Sequence, residues 1–404
     1  MGLYVFITAD IHPIGGMQIY VKSKISYLKK NGWDILVFFS GTNKKSCKYQ
    51  ELNTYVDGAF LELAYQPYAW PKYIREHIVN KMQRKINQKK YKEVIIESQD
   101  DVTALWGELL AEKVYAKHVC FNCNELFRGM RKCYEENLEF FAFKHERKEL
   151  AGIHSKSLKN LFDGYKEITE DECYTFRAGY GEAVQDIINT RVEKIIKADW
   201  NICYFGRAEK GYVVNIINDI AKFARKYSKK EIQVIFVGDA NSRLSLIEKE
   251  LNSIENVEVS LLGDLVPIPA KLFEKVDVVI AGSGCAEISA RQNVPTIVAN
   301  AKDYWANGIL GYTTNNLLFR KNDEPLMHYD VLLEQILVGE ITKKIKYTPI
   351  ESQDSEKNYA QHMEFIKQSA SNREYFALNV DVPKLSYIEI IKFYLYKYYI
   401  RIKR

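Results

Sequence analysis

No stretch of the sequence approaches the ~20 consecutive apolar residues that a membrane-spanning helix requires, and there is neither an internal repeat nor a low-complexity linker. A helical span and an array architecture are therefore not expected. Neither sign of charge dominates, with 57 Lys plus Arg against 52 Asp plus Glu, and a net charge of +5 over 404 residues gives no support to nucleic-acid binding. The opening MGLYVFITADIHPIGG lacks the positive region of a secretory signal, and Phe6 stands where a myristoylation site needs Ser or Thr. The cysteines number seven, an odd count with irregular spacing, and Cys120, Cys203 and Cys285 lie in apolar stretches, as reduced core thiols do. A cytoplasmic setting is expected. Cys120 and Cys123 form a C-x-x-C, but no second pair or nearby His cluster completes a zinc site, so the run reads as a strand end.

What the chain has is a large core. Hydrophobic residues make up 47% and charged residues 27%, ordinary globular usage that excludes a disordered chain. Apolar strand-like runs at 3–8, 35–39, 94–97, 118–122, 201–205, 232–237, 257–262, 276–281 and 295–299 alternate with helical segments. Such alternation predicts an α/β protein with parallel sheets covered on both faces. The expected organisation is two doubly wound Rossmann-like domains facing a cleft, over residues 1–195 and 196–350, followed by crossover helices and a basic aromatic tail over 351–404.

The helix after the first strand opens at Gly15-Gly16, carries Met17, Tyr20, Val21, Ile25 and Leu28 near helical spacing, and closes at Asn31-Gly32. Its N-terminus points to the carboxyl edge of the sheet, where open α/β sheets bind ligands and helix N-termini attract anions. A second anion-ready turn is Gly282-Ser283-Gly284-Cys285-Ala286-Glu287, between a strand and a helix. Glu287 replaces the third glycine of a G-x-G-x-x-G pattern, which disfavours a nicotinamide dinucleotide. It reads as an acceptor for ribose hydroxyls, or as a carboxylate stabilising the helix N-terminus.

Between Lys384 and Arg404 six cations face Glu389 alone, interleaved with Tyr387, Phe393, Tyr394, Tyr396, Tyr398 and Tyr399. That combination suits contact with an anionic membrane surface; the alternative is a terminal helix packing its aromatics on the body. Residues 65–73 combine aromatics with proline, which suits either stacking on a sugar ring or a proline-bounded connection with buried aromatics.

Four segments carry a family resemblance. IHPIGGMQIYVKSKISYLKKNGWDILVF, CYFGRAEKGY, IQVIFVGDA with VEVSLLGDL, and VDVVIAGSGCAEISARQNVPTIV resemble GT-B glycosyltransferases of the family-4 and family-1 type, nucleotide-sugar enzymes of bacterial surface polysaccharide synthesis. The resemblance implies transfer of a sugar from a nucleotide-diphosphate donor, with no further cofactor, to a glycan or lipid-linked glycan acceptor, in polysaccharide, capsule or cell-wall glycan synthesis. It implies that Gly15 and Gly16 approach the donor, that Arg207 and Lys210 hold its diphosphate, that Gly263-Asp264-Leu265 line the nucleobase pocket, and that Gly282, Ser283, Gly284, Cys285 and Glu287 complete the donor site. Arg207, Lys210 and Glu287 would be the catalytic groups. The resemblance implies a hexosyltransferase, and because no Asp-x-Asp occurs in the chain, metal-independent chemistry is expected.

Retaining members carry two glutamates in the fourth segment. Here Glu287 matches the second, but Val279 occupies the place of the first, and Asn122-Cys123-Asn124-Glu125 stands where the family has His-Asp. For an inverting reaction the general base would come from Asp10, His12, Glu97, Asp100, Asp101 or Glu125, all just after predicted strands. Two other readings share the architecture: a nucleotide-sugar 2-epimerase, and a non-catalytic partner protein.

Overall fold

The computed structural model describes residues 2–9, 11–12, 14–41, 47–123, 135–177, 183–317, 319–320, 324–349, 354–370, 373–377 and 383–402. The chain forms two compact units, Met1–Gly179 with Gln353–Arg404, and Tyr180–Ser352.

The first unit contains β1 (Gly2–Thr8), α1 (Gly16–Lys30), β2 (Trp33–Phe39), β3 (Val56–Ala59), α2 (Lys72–Ile86), β4 (Glu93–Ser98), α3 (Asp101–Val114), β5 (Lys117–Asn122), α4 (Glu135–Glu146), β6 (Leu150–Gly152) and α5 (Ser155–Leu161). Its sheet runs β3-β2-β1-β4-β5-β6 with every pair parallel. Leu3 through Ile7 of β1 are all fully buried, because helices on both faces leave a central parallel strand no solvent side. The order reverses between β1 and β4, which creates a crevice at their carboxyl ends.

The second unit contains β7 (Val184–Gln185), α6 (Thr190–Glu193), β8 (Trp200–Phe205), α7 (Val213–Lys226), β9 (Ile232–Val237), α8 (Leu244–Glu250), β10 (Val257–Gly263), β11 (Ile268–Pro269), α9 (Lys271–Glu274), β12 (Val278–Ala281), α10 (Ser283–Arg291), β13 (Thr296–Ala299), β14 (Ala306–Ile309), α11 (Tyr329–Leu337) and α12 (Ile341–Lys344). Its sheet repeats the first pattern as β10-β9-β8-β12-β13-β14, parallel except for the antiparallel β13–β14 pair. Both sheets are thus doubly wound α/β, with the second switch point between β8 and β12.

The expected boundary at 195/196 falls inside the second unit. β7 pairs with β11, and Val192 and Ile195 are buried in the core formed by Cys203, Ile235 and Val279, so residues 184–195 are bound there before β8 begins. After the second unit the chain returns to the first as α13 (Ser355–Gln368) and α14 (Tyr387–Ile402). Polar contacts fasten the return: Lys117 Nζ donates to Ile366 O at 2.9 Å, and Phe376 N–H donates to Glu108 Oε1 at 2.8 Å.

Candidate functional site

Four adjacent strands of the second sheet, β10, β9, β8 and β12, each end in or run directly into a glycine: Gly263, Gly238, Gly206 and Gly282. At Gly238, φ is 115°, and an added Cβ would stand 2.2 Å from the Gly206 carbonyl oxygen, so no other residue fits without moving backbone. Gly206 N–H donates to Val237 O and Gly238 N–H to Gly263 O, both at 2.9 Å, which laces the strand ends into one edge. The absence of side chains there lets a ligand approach main chain.

Arg207 follows that edge immediately. Tyr204 Oη donates to the Arg207 carbonyl at 2.9 Å and Ala208 N–H to Asp239 O at 3.2 Å, fixing the backbone while the side chain stays half exposed. Its guanidinium lies 3.2 Å from Glu209, an exposed pair worth little in water. Lys210, also exposed, closes the turn with its N–H 3.4 Å from Arg207 O. Burial pushes the Cys285 thiol up to about 11, with the Arg207 charge opposing, which brings Arg207 within electrostatic reach of the start of α10 and leaves Cys285 a thiol at neutral pH.

α10 begins at Gly282, an N-cap with no side chain to satisfy the first turn. Ser283 follows with φ of 50°, a left-handed value that a serine adopts only under surrounding constraint; its N–H donates to Leu317 O at 3.1 Å. Gly282, Ser283, Gly284 and Cys285 therefore stand at the switch point beside β8, on the unit that carries Arg207 and Lys210. Glu287 sits deeper. It is 2% exposed, and its Oε1 lies 2.5 Å from Arg291 Nη2, one turn on, so its charge is balanced within the helix.

The loop at Gly263-Asp264-Leu265 is gripped by a residue the sequence reading missed. Arg191, from α6, donates one guanidinium nitrogen to Leu262 O and the other to Asp264 O, the latter at 2.9 Å, around Gly263 at φ 63°. Asn189 caps α6 and so orients Arg191.

In the first unit Gly15 is the extended N-cap of α1 and Gly16 its first residue, at the carboxyl side of β1. Among the general-base candidates, Asp10 and Glu125 lie outside the described residues. His12 is buried edge-on to Phe39, with ring centroids 4.9 Å apart. Asp100 caps α3, accepting from Val102 and Thr103 N–H at 2.9 and 2.8 Å, and Asp101 lies in the first turn of that helix. Glu97 is fully buried, paired with Lys24 and accepting from Tyr4 Oη at 2.6 Å. That burial removes it from any acceptor hydroxyl and makes it a structural charge.

A second buried network also went unforeseen. Glu108 Oε2 lies 2.6 Å from both His118 Nδ1 and Lys144 Nζ. Burial alone would raise its pKa, but Lys144 and His118 overcome this and hold Glu108 at about 2. The aromatic 65–73 segment is a packed connection: Trp70 is buried and donates from Nε1 to Glu62 O at 3.0 Å, and Trp106 Nε1 donates to Tyr65 O at 2.8 Å. Among the described residues, Asp219, His328 and Asp330 form one group with metal-ligand spacing, their atoms within 4.8 Å of one another. Each already has a partner: Asp219 caps Tyr329 N–H at 2.9 Å, Asp330 pairs with Lys222 at 2.6 Å, and His328 packs on Trp305 at 4.1 Å.

No family model matches the chain, and no curated protein matches it. Solved structures do. Anabaena HepE in complex with UDP and glucose matches with a TM-score of 0.59 at 13% identity, over 91% of this chain and 97% of that one. A Rickettsia africae glycosyltransferase matches at 0.57 and 13%, over 92% and 95%. The Neisseria meningitidis UDP-GlcNAc 2-epimerase bound to UDP-GlcNAc matches at 0.53 and 13%, over 91% and 100%.

The chain shares their fold. This is the GT-B type of architecture that the four sequence segments resemble, built from two Rossmann-like units.

Proposed function

We propose that the chain is a glycosyltransferase that moves a sugar, a hexose by the resemblance, from a nucleotide-diphosphate donor to a carbohydrate acceptor, free or lipid-linked, in bacterial surface-glycan synthesis. The observation that carries this reading is the glycine-lined edge of the second sheet, with Arg207, Lys210 and the N-terminus of α10 around it. Breaking a glycosyl-phosphate bond develops negative charge on the departing diphosphate, and fixed donors aimed there lower the barrier. Arg207 would bind phosphate oxygens with its planar fork and Lys210 with a point charge, while the first N–H groups of α10 add the partial positive charge of a helix start. Together they would stabilise the leaving group with no metal ion. Main chain at Gly263-Asp264-Leu265 would meet the base. Glu287, neutralised by Arg291, would accept from ribose hydroxyls. The protein would work peripherally at a cytoplasmic membrane face through its basic aromatic C-terminal segment.

An epimerase reading stands beside it, because the Neisseria enzyme has the same fold as the transferases. The two separate on turnover, because an epimerase converts its nucleotide sugar with no acceptor present.

Calorimetry and thermal shift with nucleoside diphosphates and their sugars test the donor site. A ligand that binds only the folded state stabilises it by about 2.7 kcal/mol at a concentration one hundred times Kd. Binding by the parent protein that weakens in Arg207→Ala is expected. No binding of any nucleotide by the parent would refute the proposal, and a chelator that abolished turnover reversibly would refute its metal independence.

A further inference from the structure

α14 has a face that the first unit leaves uncovered. Its inner seam, Ile390, Phe393, Tyr394 and Lys397, follows helical spacing and rests on the segment from Glu62 to Trp70. Phe393 meets Trp70 at 4.8 Å between centroids, Leu385 N–H donates to Ala69 O at 2.9 Å, and Lys397 Nζ lies 2.5 Å from Glu62 Oε1. Glu62 is buried, so lifting the helix would strand a carboxylate without its cation. The seam therefore holds α14 as a fixed part of the first unit.

On the other side, Ile388, Ile391, Leu395, Tyr398 and Tyr399 are each more than half exposed, with exposed Lys392 among them. So many large apolar side chains exposed together on one helix face suit a second partner. No helix among the described residues is long and apolar enough to cross a membrane, so the partner lies alongside.

Charge decides between the two candidate covers. The sequence from 384 to 404 has six cations against one acid; Lys397 is already held by Glu62, and the remaining net positive charge would oppose itself in a two-fold contact between copies of this chain. Anionic headgroups would neutralise that charge, exposed Lys392 included, and tyrosines beside aliphatic side chains match the depth of the interfacial layer.

We propose that the outward face of α14 lies in the headgroup layer of an anionic lipid bilayer, with the helix axis along the membrane plane. The Glu62–Lys397 seam then sets the orientation of the whole first unit on that surface, with the 62–70 segment directly behind the contact. This deepens the peripheral placement in the function proposed above, assigning it to one helix face, and does not depend on the donor chemistry.

The test is co-sedimentation of the full chain with phosphatidylcholine vesicles and with vesicles of equal parts phosphatidylcholine and phosphatidylglycerol. The parent should bind the anionic vesicles and leave the neutral ones. Lys392→Gln should weaken that binding roughly fivefold, the worth of one cation at such a surface, and Ile391→Asp with Leu395→Asp should abolish it. All three substituted side chains are exposed, so thermal unfolding should be unchanged, and nucleotide binding measured on the same samples should be unaffected. Absence of vesicle binding by the parent, equal binding to both vesicle types, or a lipid-free dimer that the double aspartate variant converts to monomer would overturn the proposal. Loss of nucleotide binding alone would sink the donor-site reading and leave this one standing.

Discussion

Glu97→Gln gives a direct measure of what the charges inside the first unit do. Glu97 and Lys24 are both fully buried and paired with each other. Tyr4 and Tyr20 hydroxyls donate to the same carboxylate oxygen at 2.6 and 3.3 Å, and Gln99 Nε2 donates to the other at 3.3 Å. Burial pulls the pKa of Lys24 down and Glu97 pulls it back up, so the ammonium depends on this one carboxylate. Its other partners are neutral: tyrosine hydroxyls, and His362 Nδ1 at 2.9 Å, on an imidazole whose pKa is lowered far by burial and by Lys24 itself. The glutamine keeps the shape and removes the charge. Stranding one member of a buried pair costs about 3–5 kcal/mol, whereas replacing both members by neutral groups is often nearly neutral. Glu97→Gln should therefore lower the stability of the first unit by that amount, and Lys24→Met added to it should restore most of the loss. Hydrogen exchange of β1 and β4 peptides reads that unit alone, which matters because a two-unit chain need not unfold in one step. Unchanged protection in Glu97→Gln, or a double variant as weak as the sum of the singles, would refute the reasoning. Loss of turnover at full stability would return Glu97 to the list of catalytic bases.

Acid should weaken the same unit through a second network. Glu108, held at about 2 against an ordinary 4.5, contributes stability present above about pH 4.5 and lost as pH falls toward 2, and at about 1.4 kcal/mol per pKa unit this amounts to roughly 3 kcal/mol. His118, lowered mainly by burial, acts in the same direction below pH 6.5, because the unfolded chain takes the proton more readily than the folded one. A first-unit unfolding midpoint that stayed flat from neutral pH to pH 3 would contradict both. Arg191→Ala should weaken nucleotide binding roughly tenfold in calorimetry, about the worth of one charge-assisted hydrogen bond, and leave pyrophosphate binding unchanged; equal losses for both ligands would show that Arg191 does not act through the base loop. Gly238→Ala, which forces a methyl against the Gly206 carbonyl at a φ of 115°, should lower the melting temperature of the second unit by the equivalent of about 2 kcal/mol, and a variant as stable as the parent would show that the edge is not rigid.

The central strands were legible because buried parallel strands are continuous apolar runs, and β1, β8, β9 and β12 read that way. The short β3, β6 and β14 were not. ANGI in β14 contains Asn307 and Gly308, which interrupt any apolar run, so no local pattern marks it. The helix-opening glycines at 15–16 and 282–284 were readable, since the residue type itself reports the backbone requirement. Charge partners were not. Lys24 meets Glu97 across 73 positions and His362 across 338, and Arg191 meets its loop across 71 and 73, distances over which sequence carries no pairing signal. Glu97 therefore looked like any carboxylate after a strand, and the 65–73 segment could be read either as a stacking surface or as a packed connection, because the helix that meets Trp70 is encoded more than 300 residues later.

Lys24 and Lys144 are placed differently from Arg207, and the contrast supports the donor site proposed above. In the first unit, the buried lysines Lys24 and Lys144 each face a buried carboxylate, so their charges are already neutralised. Such cations have nothing left for an incoming phosphate. In the second, Arg207 stands half exposed at a glycine edge, its backbone fixed by Tyr204 and its guanidinium paired with an exposed Glu209. An exposed pair of that kind contributes about 1 kcal/mol or less, whereas a bidentate contact to phosphate oxygens in a partly desolvated site is far stronger, so the proposed diphosphate would displace Glu209. A backbone fixed by hydrogen bonds and a guanidinium held only by a weak exposed pair are what the proposed phosphate contact needs.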